Sequence, residues 1–159
     1  MSDILTRFFD KVDQNGPIAS HMETPCWIWT ASSGGGDYPK FSVDGRLVGA
    51  YRWSYEHFVG PIPDGLSIDH KCLVRRCVNP EHLRPATRRE QHENLSGASS
   101  NSKSGIRGVR WTKNGWEANV KVDGEVVYLG RFQNIDDAEQ AAIDGRNKYF
   151  THNELDRNK

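Results

Sequence analysis

The chain has 159 residues, 36% of them apolar, with 21 Lys and Arg balanced by 21 Asp and Glu and only three cysteines. That length holds one ordinary domain or two very small ones, and so little apolar mass argues against a single large core, so a metal, partner or staple is expected to help. The neutral total does not by itself announce a nucleic-acid binder, no run approaches a membrane span, no signal-peptide pattern opens the chain, and three cysteines in a reducing compartment read as ligands or buried thiols, so a cytosolic protein is expected.

In chain order, Ile4, Leu5, Phe8, Phe9 and Val12 recur at helical spacing and predict a short amphipathic helix over residues 3–13, ended by Gly16-Pro17. "CWIWTA" (26–31) predicts a strand, Gly34-Gly35-Gly36 a turn, and "YPKFSVDGRLVGAY" a hairpin turning at Asp44-Gly45. "YRWSYEHFVG" predicts one short helix, and "LSIDHKC" a strand entering a loop. "NPEHL" predicts a turn, and "TRREQHENL" a helix with Thr87 as N-cap and Glu90 three residues on. The low-complexity stretch "SGASSNSKS" (96–104) predicts a flexible linker. After it come three strand candidates, "IRGVRWT", "GWEANVKVD" and "EVVYLGRF", joined at Asn114-Gly115 and Asp123-Gly124. The helix "NIDDAEQAAIDGRNKYF" then follows behind Asn134 as cap. The expected organisation is therefore 1–95, a linker at 96–104, a small module at 105–150 and a tail at 151–159.

Charge is uneven along this order. Asp69 to Arg89 carries six Lys or Arg against two acids, and Asn101 to Val122 five against one. Such patches leave an electrostatic footprint for a phosphate backbone even on a neutral protein.

Cys72, Cys77 and His82 are spaced by five and five, with Cys26 far upstream beside an aromatic pair. Four soft or borderline donors suit a structural zinc ion, one per chain. The spacing is not the usual CxxC pattern, and three ordinary buried cysteines would fit it as well. Asp69-His70 stands where a strand should give way to this loop. Histidine is the natural base for activating water against a phosphodiester, and a hard cation such as Mg²⁺ would then want oxygen ligands from the following helix, where Gln91 and Asn94 can share a face. The competing reading of His70 is a loop histidine satisfied by hydrogen bonds.

"CWIW", "AYRWSYE", "IDHKC" and "CVNPEHL…TRRE" together resemble, in order, the ββα-metal nuclease motif, the HNH or His-Me finger, in the zinc-containing form of His-Cys box homing endonucleases and small phage HNH endonucleases. The resemblance covers roughly residues 20–95. It implies His70 as general base, Asp69 as a metal contact or loop orienter, Cys26, Cys72, Cys77 and His82 as structural zinc ligands, and Arg52, then Arg46, as the arginine near the scissile phosphate. Asn79 falls in the motif but is expected to fix the turn by local hydrogen bonds. Gln91 fills the place where the family usually has Asn as catalytic Mg²⁺ ligand, with Mn²⁺ as a substitute ion. The extra methylene puts that role in doubt, so His92 or Asn94 substituting, or a weak or inactive nuclease, stays open. Arg75, Arg76 and Arg88 are expected to face DNA.

"GIRGVRW", "GWEANVKV", "YLGRF" and "DAEQAAIDGRNKYF" resemble the AP2 DNA-binding domain. The fold implied is a three-stranded antiparallel sheet on one helix, with the sheet entering the major groove. Arg107, Arg110, Lys113, Trp116 and Lys121 are the expected DNA contacts, Arg131 a weaker one. The fold class expected overall is α+β. The expected function is a Mg-dependent endonuclease acting on double-stranded DNA, phage-encoded and working in host cytoplasm, as monomer or homodimer. The alternatives are a sequence-selective DNA-binding protein that keeps the zinc scaffold without cutting, and a zinc-stapled scaffold with no DNA role.

Overall fold

The computed structural model describes residues 3–157 and divides the chain into two compact units, one ending at Gln91 and the other beginning at His92. Residues 1–2 and 158–159, the extremes of the expected first domain and tail, lie outside the described residues.

The first unit begins with α1 (Ile4–Phe9). This helix is shorter than the spacing predicts: Asp10 caps it, and Val12 and Asp13 form β1 against β2 (Ile28–Trp29) instead. The apolar period is real, since Val12 still packs on the same core, but it does so from a strand. Gly16 lets the chain pass close to the start of β2: its N–H bonds the Cys26 carbonyl at 3.1 Å, and a Cβ there would lie 2.5 Å from that oxygen. β3 (Lys40–Val43) and β4 (Arg46–Gly49) form the expected hairpin, with Asp44 and Gly45 at φ 49° and 78°, the left-handed pair that a two-residue turn requires.

α2 (Ala50–Phe58) follows directly, and Phe8, Trp29, Phe41, Ala50 and Val78 make the buried centre. Its rings interlock, with Phe8 4.6 Å from Trp53 and 5.5 Å from both Trp29 and Phe41. A few large aromatics thus supply the burial that the modest apolar count withholds. β5 (Ser67–His70) pairs antiparallel with β6 (Leu83–Ala86), and a 3₁₀ turn, Pro80–His82, leads into β6. β6 is invisible in the sequence because Pro85, lacking an N–H, sits opposite Ile68. α3 (Arg88–Glu93) starts with a reciprocal capping box: Thr87 Oγ1 accepts from the Glu90 N–H at 3.2 Å while Glu90 Oε2 accepts from the Thr87 N–H at 2.7 Å.

The second unit holds β7 (Val109–Thr112), β8 (Gly115–Val122) and β9 (Glu125–Phe132) as one antiparallel sheet in sequential order, with a bulge at Ala118/Asn119. Thr112 pairs with Gly115, so the first turn is Lys113-Asn114, one residue earlier than its glycine suggested. α4 (Ile135–Tyr149) is capped by Asn134, whose Oδ1 accepts from the Asp136 N–H at 2.9 Å, and lays Ala138 and Ala142 on Val109 and Ala118. Small residues let helix and sheet approach closely. The serine-rich segment is bonded into this unit, Ser104 Oγ donating to the Val109 carbonyl at 2.6 Å. Past Tyr149 the chain forms α5 (Glu154–Arg157), where buried Asp156 pairs with buried Arg146 at 2.6 Å. The result is an α+β arrangement, with a Cys/His cluster beside small hairpins in one unit and a three-stranded sheet packed on a helix in the other.

Candidate active site and metal centre

Cys26, Cys72, Cys77 and His82 are all buried, and their ligand atoms lie within 4.8 Å of one another. Backbone pairing gathers them. Cys77 bridges Ile28, and Trp27 and Trp29 exchange hydrogen bonds with Val78 and Arg76, so β2 holds Cys26 against the loop between β5 and β6. Within that loop Leu73 adopts φ 61°, an unusual conformation for a branched residue, and Asn79 caps the 3₁₀ turn that presents His82.

The distances suit a tetrahedral cation. His82 Nδ1 is 3.5 Å from both Cys26 Sγ and Cys77 Sγ. With Zn–S near 2.3 Å and Zn–N near 2.0–2.1 Å, the S···N edge of a tetrahedron is about 3.5 Å. The other ring nitrogen, Nε2, is 2.9 Å from Thr24 Oγ1, whose hydroxyl donates to Glu81 Oε2 at 3.3 Å. Since Thr24 gives its proton to the carboxylate, its oxygen accepts from Nε2–H, leaving the Nδ1 lone pair for the cluster. Burial pushes the Cys26 thiol up to about 12, while sharing its hydrogen with Cys72, and burial, raise Cys77. The hydrogen bond from Cys77 lowers Cys72 to about 5. The protein alone therefore favours one thiolate here; three together call for a cation.

His70 closes β5 beside this knuckle. Its Nε2 lies 3.1 Å from the Cys77 carbonyl oxygen, which can only accept, so the hydrogen-bond pattern assigns the proton to Nε2 and the lone pair to Nδ1. The ring is 7% exposed, with Tyr51 and Tyr38 centroids at 5.2 and 6.1 Å. Burial lowers its pKa to about 4, opposed by the Cys77 carbonyl and assisted by the Arg75 charge, so the imidazole is neutral at physiological pH.

Asp69 is buried, and its Oδ2 accepts from Arg84 Nε and Nη2, both at 3.0 Å, across the β5–β6 register that pairs the two residues. Asn79 spends both ends of its amide on the backbone, accepting from Glu81 N–H and donating to the Pro25 carbonyl, each at 3.0 Å. Gln91 is half-buried in α3, and His92 is exposed at its end. Arg52 is half-buried on α2 and Arg46 exposed on β4. Arg88 is exposed, whereas Arg76 donates to the Trp29 and Ala31 carbonyls. Among the described residues no second group of three or more His, Cys, Asp or Glu is gathered closely enough to hold a metal.

In the second unit Arg110 and Arg131 flank Glu117 on the sheet face away from α4, at 2.9 and 2.7 Å. Lys113 and Lys121 are exposed. Trp116 is half-buried against the core, and Trp111, at 4.9 Å from it, is exposed. Arg107 is turned elsewhere: it donates to the His92 and Glu93 carbonyls at 2.7 and 2.9 Å and lies over the Phe150 ring. Thr24, Arg84, Tyr38 and Tyr51 join the site without a spacing signal. Each reaches it through a fold contact, and only the side-by-side register of β5 and β6 places Arg84.

A family model described as HNH endonuclease matches residues 48–93, from the end of β4 through α3. Among curated proteins, the chain is 37% identical over 76 residues to an uncharacterized gene 5.3 protein of Enterobacteria phage T3, covering 43% of this chain and 75% of that protein. It is 34% identical over 70 residues to Protein 7.7 of Escherichia phage T7, covering 44% of this chain and 54% of that protein, about half its length. No solved structure matches the chain.

Proposed function

The chain belongs to the family of the phage T3 gene 5.3 protein and carries an HNH-like domain with a Cys3His cluster, and from that premise we propose that it is a DNA endonuclease hydrolysing phosphodiester bonds with His70 as general base. The observation that carries the reading is the Cys77 carbonyl on His70 Nε2. It makes Nδ1 the basic nitrogen, on a ring anchored to the loop that the Cys3His cluster pins. Water gives a proton to Nδ1 and attacks phosphorus in line, the bond from phosphorus to the 3′-oxygen breaks, and that oxygen takes a proton from solvent, leaving 5′-phosphate and 3′-hydroxyl ends. A pKa of about 4 keeps the base unprotonated but weak; phosphates drawn in beside it raise that value. Cys26, Cys72, Cys77 and His82 would hold a structural zinc ion that pins the loop. A divalent cation, Mg²⁺ or Mn²⁺, would neutralise charge at the leaving oxygen. Gln91 of α3 would be its protein ligand and Asp69 is held by Arg84, so much of its coordination would fall to phosphate and water.

Arg52 is the proposed phosphate contact of this site: it carries no hydrogen bond or ion pair among the described residues. The second unit is proposed as an AP2-like reader. Arg110 and Arg131, with Lys113 and Lys121, would meet double-stranded DNA, while Arg107 and Arg76, both committed to carbonyls, act structurally. A second reading, binding without cleavage, is favoured by one specific observation: His70 is 7% exposed. Supercoiled plasmid with Mg²⁺ separates the two. Nicking or linearisation by the wild type that His70→Ala abolishes, with DNA association intact, supports the nuclease. A salt-dependent gel shift with no cleavage by either protein supports the binder.

A further inference from the structure

The segment joining β2 to β3 contains Gly34-Gly35-Gly36, and a Cβ at any of the three would meet nothing within 4 Å. The loop stands in open space, with Gly34 and Gly35 at φ 67° and 92°. Yet its far end is tied down. Asp37 forms an ion pair with Arg75, the Arg75 guanidinium lies 5.8 Å over the Tyr38 ring, and Tyr38 in turn faces His70 at 6.1 Å and Tyr51 at 5.7 Å. Arg75 belongs to the loop between the ligands Cys72 and Cys77, so the metal knuckle fixes it. A guanidinium one tyrosine ring from the candidate base, on a backbone set between two cysteines of the cluster, thus holds a carboxylate delivered by an unpacked glycine loop.

We propose that Arg75 is a phosphate subsite of this active site, taking a backbone phosphate next to the one hydrolysed, and that Asp37 occupies it in the free protein as an internal stand-in for that phosphate. The proposal rests on the reading that a DNA strand runs past His70. A carboxylate and a phosphate offer a guanidinium the same paired oxygens. The Arg75 and Asp37 side chains are 60% and 67% exposed, where solvent screens an ion pair and leaves it weak. An incoming strand, with one charge per about 3.4 Å along its axis, displaces such a partner readily. Nothing packs against the glycines, so the loop can move, and what Asp37 gives up on withdrawing is the exposed ion pair and the Tyr38 ring contacts beside it. Tyr38, about half exposed and tilted against His70 at 6.1 Å, leaves with Asp37, so the exchange also uncovers the imidazole.

The test is a double-mutant cycle on the full chain, read as affinity for a duplex of random sequence without divalent cation, across a salt series. Asp37→Asn should tighten binding about 3–10-fold at low salt and steepen the log–log salt slope by up to about 0.9, the contribution of one phosphate contact. Arg75→Ala should weaken binding, and in its background Asp37→Asn should have no effect. Asp64→Asn, which removes an exposed acid elsewhere in the same unit, controls for net charge and should change little. Equal gains from Asp37→Asn and Asp64→Asn, or a gain that survives in Arg75→Ala, overturn the proposal. Where plasmid nicking is measured, Asp37→Asn should lower KM with kcat unchanged, and a fall in kcat would count against a competing carboxylate. A wild type that never nicks sinks the nuclease reading alone, because the binding cycle still decides the subsite.

Discussion

Thr24→Val tests the metal centre at a residue that touches no metal. The hydroxyl lies 2.9 Å from His82 Nε2 and 3.3 Å from Glu81 Oε2, a relay that fixes the imidazole tautomer and orients Nδ1 toward the sulfurs. Valine keeps the volume and removes both hydrogen bonds. The ring then leaves a buried N–H without an acceptor, or flips the proton onto Nδ1 and stops being a ligand. Loss of such outer contacts typically costs about 10–100-fold in metal affinity, about 1.4–2.7 kcal/mol. The assay is zinc competition against a chromophoric chelator at fixed pH, on wild type, Thr24→Val and Thr24→Ser. Serine restores the relay and should recover most of the affinity. Unchanged affinity in Thr24→Val would refute the assignment of Nδ1 as the ligand atom. A folded wild type carrying no zinc by elemental analysis would remove the metal centre altogether.

Cys77→Ala should melt the first unit far more than the second, which domain-resolved thermal unfolding or hydrogen exchange can separate. In the second unit, Glu93→Gln should cost about 1.5–3 kcal/mol by urea unfolding, since its buried carboxylate accepts from the Thr151 and His152 N–H groups at 2.8 and 3.2 Å. Gly108→Ala should be at least as damaging: the residue sits at φ 81°, and its new Cβ would lie 2.5 Å from the Asn119 carbonyl oxygen. Glu117 is held below the usual carboxylate range by Arg131 and Arg110. Its contribution is therefore complete at neutral pH and lost on acidification through that lowered value, so Glu117→Gln should flatten the acid side of a thermal-stability profile.

Elements whose signal is local were readable in the sequence. Asp44-Gly45 and Asp123-Gly124 carry their own backbone preference, Thr87 and Glu90 cap each other within one turn, and the alanines of α4 repeat at helical spacing. The four cysteine and histidine residues were readable as candidate ligands, but ordinary buried cysteines fitted the spacing as well, and it is the fold that brings their ligand atoms within 4.8 Å. What depended on distant partners was not. Val12 follows a helical period yet pairs with Trp29, β6 exists because Ser67–His70 supply its hydrogen bonds despite Pro85, and Arg107 looks like a DNA contact until the His92 and Glu93 carbonyls meet it. Likewise, only folding puts the Cys77 carbonyl on His70 and the Arg75 guanidinium on Asp37. Sequence determined which groups are present and the local geometry that short-range bonds enforce; the tertiary structure decided which of them meet, because a hydrogen bond depends on position to within ångströms and not on separation along the chain.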